Sequence, residues 1–177
     1  MTAPISANEA DRLRVLYQYE ILDTISEQAF DELTELASNV CETPIALISL
    51  VDEHRQWFKA AVGVNVRETS RDISFCAHAI LGTKIFVVPD AARDERFADN
   101  PLVTGDPRIR FYAGAPLMAP EGVALGSLCV IDHAPRALTP KQERALEILS
   151  RQIVTQLQLR RALENLARLN ADIQLVA

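Results

Sequence analysis

The spacing of apolar residues changes character several times along the chain. In 6–22, Leu13, Leu16 and Tyr17 return at helical intervals behind Ser6 and Glu9, which have capping-box spacing, so a first helix is expected there. In 26–40 a second helix is expected, with Ser26 as N-cap and Phe30, Leu33, Leu36 (or Ala37) and Val40 on one face. Pro44 ends any continuation. The period then shifts. "PIALISLV" (44–51) is apolar on both alternating faces, as a central strand would be, and "QWFKAAVGV" (56–64) follows it across the turn "DEHR" as an antiparallel neighbour.

Residues 65–74 are polar and irregular, so a loop is expected. "CAHAILG" (76–82) suits two helical turns ended by Gly82, and "KIFVVPDA" (84–91) suits a short strand. A long loop rich in Asp, Asn, Pro and Gly runs over 92–108. A second hairpin spans 109–119 and 123–132 around the turn "PEG". The rest is one long helix with Thr139 as N-cap, Pro140 at its first position and Gln142 completing the box. Its stripe changes part-way. Leu146, Leu149, Ile153 and Leu157 suit packing on a sheet, whereas Leu159, Leu163, Leu166, Asn170 and Ile173 follow the 4-3-4-3 steps of a coiled-coil seam. An Asn at an a-type position of such a seam favours a two-stranded state, and the other option is a solvated helix end. The expected fold class is α+β, an antiparallel sheet with helices on one side and elaborated loops on the other.

Composition narrows the function classes. The chain has 177 residues, nearly half apolar, which suits one globular domain with a substantial core. A net charge of −6, with basic residues scattered, argues against nucleic acid as partner. No apolar run approaches the ~20 residues of a membrane helix, and no signal layout is present, so a cytoplasmic location is expected. Cys41, Cys76 and Cys129 are an odd, widely spaced set, as free thiols in a reducing compartment would be.

Many separated strings then agree at once: "YEILDT", "TPIALISLVDEHRQWFK", "RDISFCAHAI", "FVVPDA", "DERFADNPLVTG", "IRFYAGAPL" and "ALGSLCVID". From about Arg12 to Arg160 the chain resembles GAF domains, in particular the subgroup at or near the N-termini of bacterial sensor histidine kinases and diguanylate cyclases. The resemblance implies a six-stranded sheet with helices on one face and a loop-covered ligand pocket on the other. It also implies sensing of a small molecule, or dimerisation, on behalf of an output domain such as a histidine kinase or diguanylate cyclase. On this basis 1–24 is an N-terminal helix, 25–140 the GAF core, and 141–177 a helix that packs on the sheet and then signals. The chain is expected to be a stand-alone member or a piece ending after that helix, and to form a homodimer through its terminal helices.

The Cys76–His78 stretch admits several readings. Free methionine-(R)-sulfoxide reductases, an enzymatic GAF branch, carry a cysteine where Cys76 stands, which makes a cysteine-dependent redox enzyme the alternative function. Yet 97–112 holds no cysteine where that branch has its nucleophile. A metal site would need Cys129, Cys41 or His133 to join Cys76 and His78, and the spacing is not a recurrent zinc pattern. A haem on His78 or a bilin on Cys76 has no further support, so no cofactor or metal is required. On a helix Cys76 and Ile80 would share a face and His78 would point elsewhere, giving packing or pocket lining.

Among the other candidates, Asp52, Asp90 and Asp132 each follow a strand, where they either gather on a cation or close turns through backbone amides. Phe97, Arg110, Phe111 and Tyr112 either contact a planar anionic ligand or leave Phe97 plugging the loop and Arg110 pairing with a loop aspartate. The nucleotide pattern of cyclic-nucleotide GAF domains is absent. Trp57 is a pocket lid or sheet packing. Gly114 and Gly126, within strands, mark close approach of backbone or ligand. The expected pocket set is therefore Cys76, His78, Phe97, Arg110, Phe111, Tyr112, Trp57 and Asp90. Catalysis is not expected, a third possibility being a dimerisation domain with no ligand.

Overall fold

Strand β1 (Ile45–Val51) is buried at every position, because it lies at the centre of a sheet covered on both faces. The computed structural model describes residues 1–176. Strands β2 (Arg55–Val62), β3 (Glu68–Ser70), β4 (Phe86–Val88), β5 (Phe111–Met118) and β6 (Ala124–Asp132) complete a six-stranded sheet in the order β3-β2-β1-β6-β5-β4. Every pairing is antiparallel. The fold is α+β, and its sheet separates two apolar layers.

Helices α1 (Glu9–Gln18), α2 (Gln28–Cys41) and α5 (Pro140–Val176) cover one face. There Val15, Leu16, Phe30 and Ala37 meet Ile48, Leu50, Ala113 and Val130 of the sheet and Leu146, Leu149, Ile153 and Leu157 of α5. The short helices α3 (Cys76–Ala79) and α4 (Pro101–Thr104), with the loops around them, cover the other face over Ile45, Leu47, Phe58, Cys129 and Ile131. Alternation along each strand divides its side chains between these layers.

The α5 cap forms as its sequence predicts: the Gln142 amide donates to the Thr139 hydroxyl, and the Thr139 amide to the Gln142 side chain. The earlier caps differ. The N-cap of α1 is Asn8, because Glu9 turns its carboxylate to Arg12 and leaves Ser6 without its box partner. Helix α2 starts after Glu27, not Ser26, with no side-chain cap. Its buried face is Phe30, Thr34, Ala37, Ser38 and Cys41, while Leu36 and Val40 are exposed. Part of the expected 65–74 loop is β3, which forms because Arg55, Gln56 and Trp57 of β2 offer it a free edge.

Gly126 faces Leu50 across the β1–β6 ladder. A Cβ there would stand 1.9 Å from the Ser49 carbonyl oxygen, so the close approach is backbone to backbone. In β2, Phe58 pairs with Ser49 and Ala60 with Ile48, leaving Lys59 as the extra residue of a β-bulge. Its ammonium is fully buried on the helix side, donating to Thr24, to the Ile25 carbonyl and to Glu27. Helix α5 buries nothing past Leu157, and every residue from 165 to 176 is exposed. Among the described residues no helix is long and apolar enough to cross a membrane.

Candidate functional site

Beneath α3 lies a cavity of about 320 Å³. Its floor is the face of the sheet turned away from the long helices: Ile45 and Leu47 of β1, Phe58 of β2, and Cys129 and Ile131 of β6. Phe75 and Cys76 close it from above, Tyr112 from the side, Leu102 from α4 and Ile109 from the loop before β5. The mouth is formed by exposed Asn65, Val66 and Asp106.

Its polar groups are already engaged. The Gln56 carbonyl oxygen accepts from Ser49 and Ser74, and its amide donates to Thr69 at 2.6 Å. Among the described residues no buried side-chain nitrogen or oxygen lacks a partner. Among the described residues no lysine, arginine or histidine lines the cavity, and Asp106 is its one carboxyl. Nothing in the wall is arranged to neutralise a phosphate or a carboxylate. The arrangement suits a small, mainly apolar ligand held by shape and burial.

At the inner end the Tyr112 hydroxyl donates to Cys76 Sγ at 3.2 Å and lies 3.2 Å from Ser127 Oγ, while Cys76 and Cys129 stand with their sulfurs 3.9 Å apart. Gly114 makes room for this hydroxyl, since a Cβ there would come within 2.3 Å of it. Burial disfavours a thiolate on Cys76, but hydrogen bonding among the groups around its sulfur (Cys129, Ser127, Tyr112 and Ser49) outweighs it and lowers its pKa. Cys129 is pushed the opposite way, by its bond to Cys76 and by burial.

Of the residues expected at a pocket, Cys76 and Tyr112 line this one. His78 does not: two residues on from Cys76, it turns out of this cavity toward β4. Its ring stacks 6.0 Å from Phe86 and meets Phe97 edge-on, with Nε2 3.2 Å from the Met1 carbonyl oxygen. Burial lowers its pKa. Phe97 is buried behind the wall, stacked on Phe75 at 4.1 Å. Arg110 caps the carbonyls of Val103 and Ile109, and among the described residues no aspartate pairs with it. Trp57 and Phe111 belong to the helix-side core by strand parity. Asp90 accepts from the Ala92 amide and pairs with Arg93.

Asp52 and Asp132 likewise accept from amides just ahead, and among the described residues no three Cys, His, Asp or Glu side chains converge as metal ligands. The floor residues Ile45, Leu47, Phe58, Cys129 and Ile131 were absent from the expected set. The signal for them is parity: once helices cover one face, the other alternate positions of the central strands must face the pocket.

A GAF domain family model matches residues 26–157. The chain belongs to the GAF family. It is 49 % identical over 148 residues to a cyclic di-GMP phosphodiesterase of Pseudomonas aeruginosa, a match that takes in 84 % of this chain and 25 % of that protein. The chain therefore spans about a quarter of that relative's length. In structure it is similar to the GAF domain of an Acinetobacter phosphoenolpyruvate-protein phosphotransferase, with TM-score 0.64 and 23 % identity over 89 % of this chain and 97 % of that one. It is also similar to a type II free methionine-R-sulfoxide reductase from Thermoplasma acidophilum, with TM-score 0.58 and 13 % identity over 73 % and 92 % of the two chains. At these identities the structural likenesses speak for the GAF fold alone.

Proposed function

We propose that this GAF domain is a cytoplasmic, non-catalytic sensory module that takes a small, mainly apolar ligand beneath α3 and relays its presence through α5. The observation that carries this reading is the cavity itself, floored by five apolar side chains of the central strands and free of cationic groups. Binding is tested with the apolar fluorophore N-phenyl-1-naphthylamine. Saturable 1:1 binding is expected, weakened about tenfold or more by Val64→Trp, which fills the cavity from its partly exposed rim. Equal binding by the variant would place the fluorophore elsewhere and remove the reading.

A route from cavity to helix runs through one strand. Phe58 forms the floor, and the next residue, Lys59, donates to Glu27, which also accepts from Arg160 of α5 at 2.8 Å. Movement of β2 on ligand entry would therefore pull on α5. A ligand shifts this equilibrium only if it binds two helix arrangements unequally.

Beyond the sheet, α5 exposes Leu159, Leu163, Leu166, Asn170 and Ile173, together with Leu169. We assign these to a parallel dimer seam leading to an attached output domain. The phosphodiesterase relative suggests cyclic di-GMP turnover as one output, beside the kinase and cyclase outputs expected from the sequence. Leu166→Glu should convert a dimer to a monomer in sedimentation velocity while leaving the domain folded, since Leu166 is exposed in the single chain. A monomeric wild type, or a dimer that survives this change, would refute the seam.

A further inference from the structure

The wall of the cavity contains chemistry that apolar ligand binding does not use. We propose that Cys76 and Cys129 form a redox site, a dithiol at the inner end of the cavity that an organic hydroperoxide converts to a disulfide. Oxidation here needs no resident ligand and goes beyond the sensory reading. Both cysteines line the cavity, whose mouth at Asn65 and Asp106 gives a small apolar peroxide a way in without unfolding the domain. They stand 3.9 Å apart on different elements, α3 and β6, against about 2.05 Å in a disulfide. The remaining gap closes by moving α3 toward the sheet and rotating the two side chains.

The environment distinguishes the two thiols. The Tyr112 hydroxyl points at Cys76 Sγ and is itself in contact with Ser127, so a negative sulfur at Cys76 has donors waiting. Cys76 is therefore the attacking thiol and Cys129 the resolving one. Its sulfur attacks one peroxide oxygen, the O–O bond breaks, and the alcohol leaves with the thiol proton, giving a sulfenic acid at Cys76. The Cys129 sulfur then attacks the Cys76 sulfur, and hydroxide leaves as water with the Cys129 proton. The dithiol loses two electrons in all, and the hydroperoxide becomes one alcohol and one water. Cys41 takes no part: it lies in the helix-side core, where burial raises its pKa to about 11.

The disulfide would tie α3 to β6 and draw Cys76 Sγ away from the Tyr112 hydroxyl. Peroxide exposure would thus remodel the same cavity that the ligand enters.

The test exposes the whole chain to tert-butyl hydroperoxide and counts thiols after denaturation. The count should fall from three to one, with a single Cys76–Cys129 cross-linked peptide, and dithiothreitol should restore all three. Pairing should proceed about tenfold or more faster in the folded chain than in urea. Cys129→Ser should form no disulfide and leave Cys76 as a sulfenic acid trapped by dimedone, whereas Cys41→Ser should form the same cross-link as the parent. Three thiols surviving conditions that oxidise the unfolded chain would overturn the proposal, as would a cross-link through Cys41. These thiol counts do not depend on N-phenyl-1-naphthylamine binding, so failure of the ligand reading would not imitate failure here.

Discussion

Glu9→Gln is expected to lower the stability of the domain by about 3 kcal/mol at neutral pH, with most of that loss disappearing in acid. Glu9 is one carboxylate shared by two arginines. Arg12, only 1 % exposed, donates to it from Nε and Nη2 at 2.9 and 2.8 Å, and its Nη1 reaches the Val51 carbonyl at 2.7 Å. Arg71 donates to the same carboxylate and to the Asp52 carbonyl. The amide of glutamine keeps the shape but leaves two guanidinium charges out of water without their counter-charge. Burial alone would raise the Glu9 pKa; the hydrogen bonds from Arg12 and Arg71 outweigh it and hold the pKa at about 2, against 4.5 unperturbed.

Because the folded value lies below the unfolded one, the contribution is complete above about pH 4.5 and is lost as pH falls toward 2. Urea titrations of parent and variant at pH 7, 4 and 3 check this. The gap between them should be widest at pH 7 and narrow progressively below pH 4.5. Glu27, whose pKa is also lowered, titrates in both proteins and drops out of the difference. A gap that stayed constant with pH would mean that the carboxylate charge is not what Arg12 and Arg71 require.

This cluster was invisible in the chain, and the reason applies elsewhere. Glu9 has capping-box spacing from Ser6, and local spacing cannot show that an arginine 62 positions away competes for the same carboxylate. Local signals held where nothing distant competed. The Thr139–Gln142 cap formed, and the unbroken apolar run of β1 meant burial on both faces. They failed for β3, whose three polar residues become a strand only because β2 has an open edge. In α2 the apolar Leu36 and Val40 stay exposed while Thr34 and Ser38 are buried, because Thr34 and Ser38 satisfy their hydroxyls on the Phe30 and Thr43 carbonyls.

The cavity was legible in kind but only partly in residues. Aromatic side chains drew attention to Trp57 and Phe111, yet in a strand the neighbour faces the opposite layer. Phe58 and Tyr112 are the ones beside the cavity. Side-chain type says that a residue will be buried, and strand parity says on which face. Parity itself breaks at Lys59, where the bulge sets two successive residues toward the helix side. The approach of Cys129 to Cys76 depends on the β1–β6 register and on the placement of α3, neither of which has a local signature.

Glycines in β5 and β6 give the sharpest contrast available by mutation. Gly126→Ala is expected to cost about 4 kcal/mol, a large share of the ~5–15 kcal/mol of a typical domain. The added methyl would sit 1.9 Å from the Ser49 carbonyl oxygen and 2.8 Å from the Leu50 Cα, both backbone atoms of the central strand. Relief requires β1 and β6 to part, which breaks the Ser49–Ser127 and Leu50–Gly126 pairings and opens both apolar layers at once. Gly114→Ala meets a side chain instead, the Tyr112 hydroxyl at 2.3 Å, and a tilt of that ring relieves it at about 1–2 kcal/mol. The second variant should therefore fold, with the Tyr112 hydroxyl drawn away from Cys76, and show altered N-phenyl-1-naphthylamine affinity. The first should be unfolded or nearly so at 37 °C by circular dichroism. The reverse order of stabilities would mean that the β1–β6 ladder yields more easily than one buried tyrosine, and that the sheet is not the rigid floor on which the cavity and the cysteine pair depend.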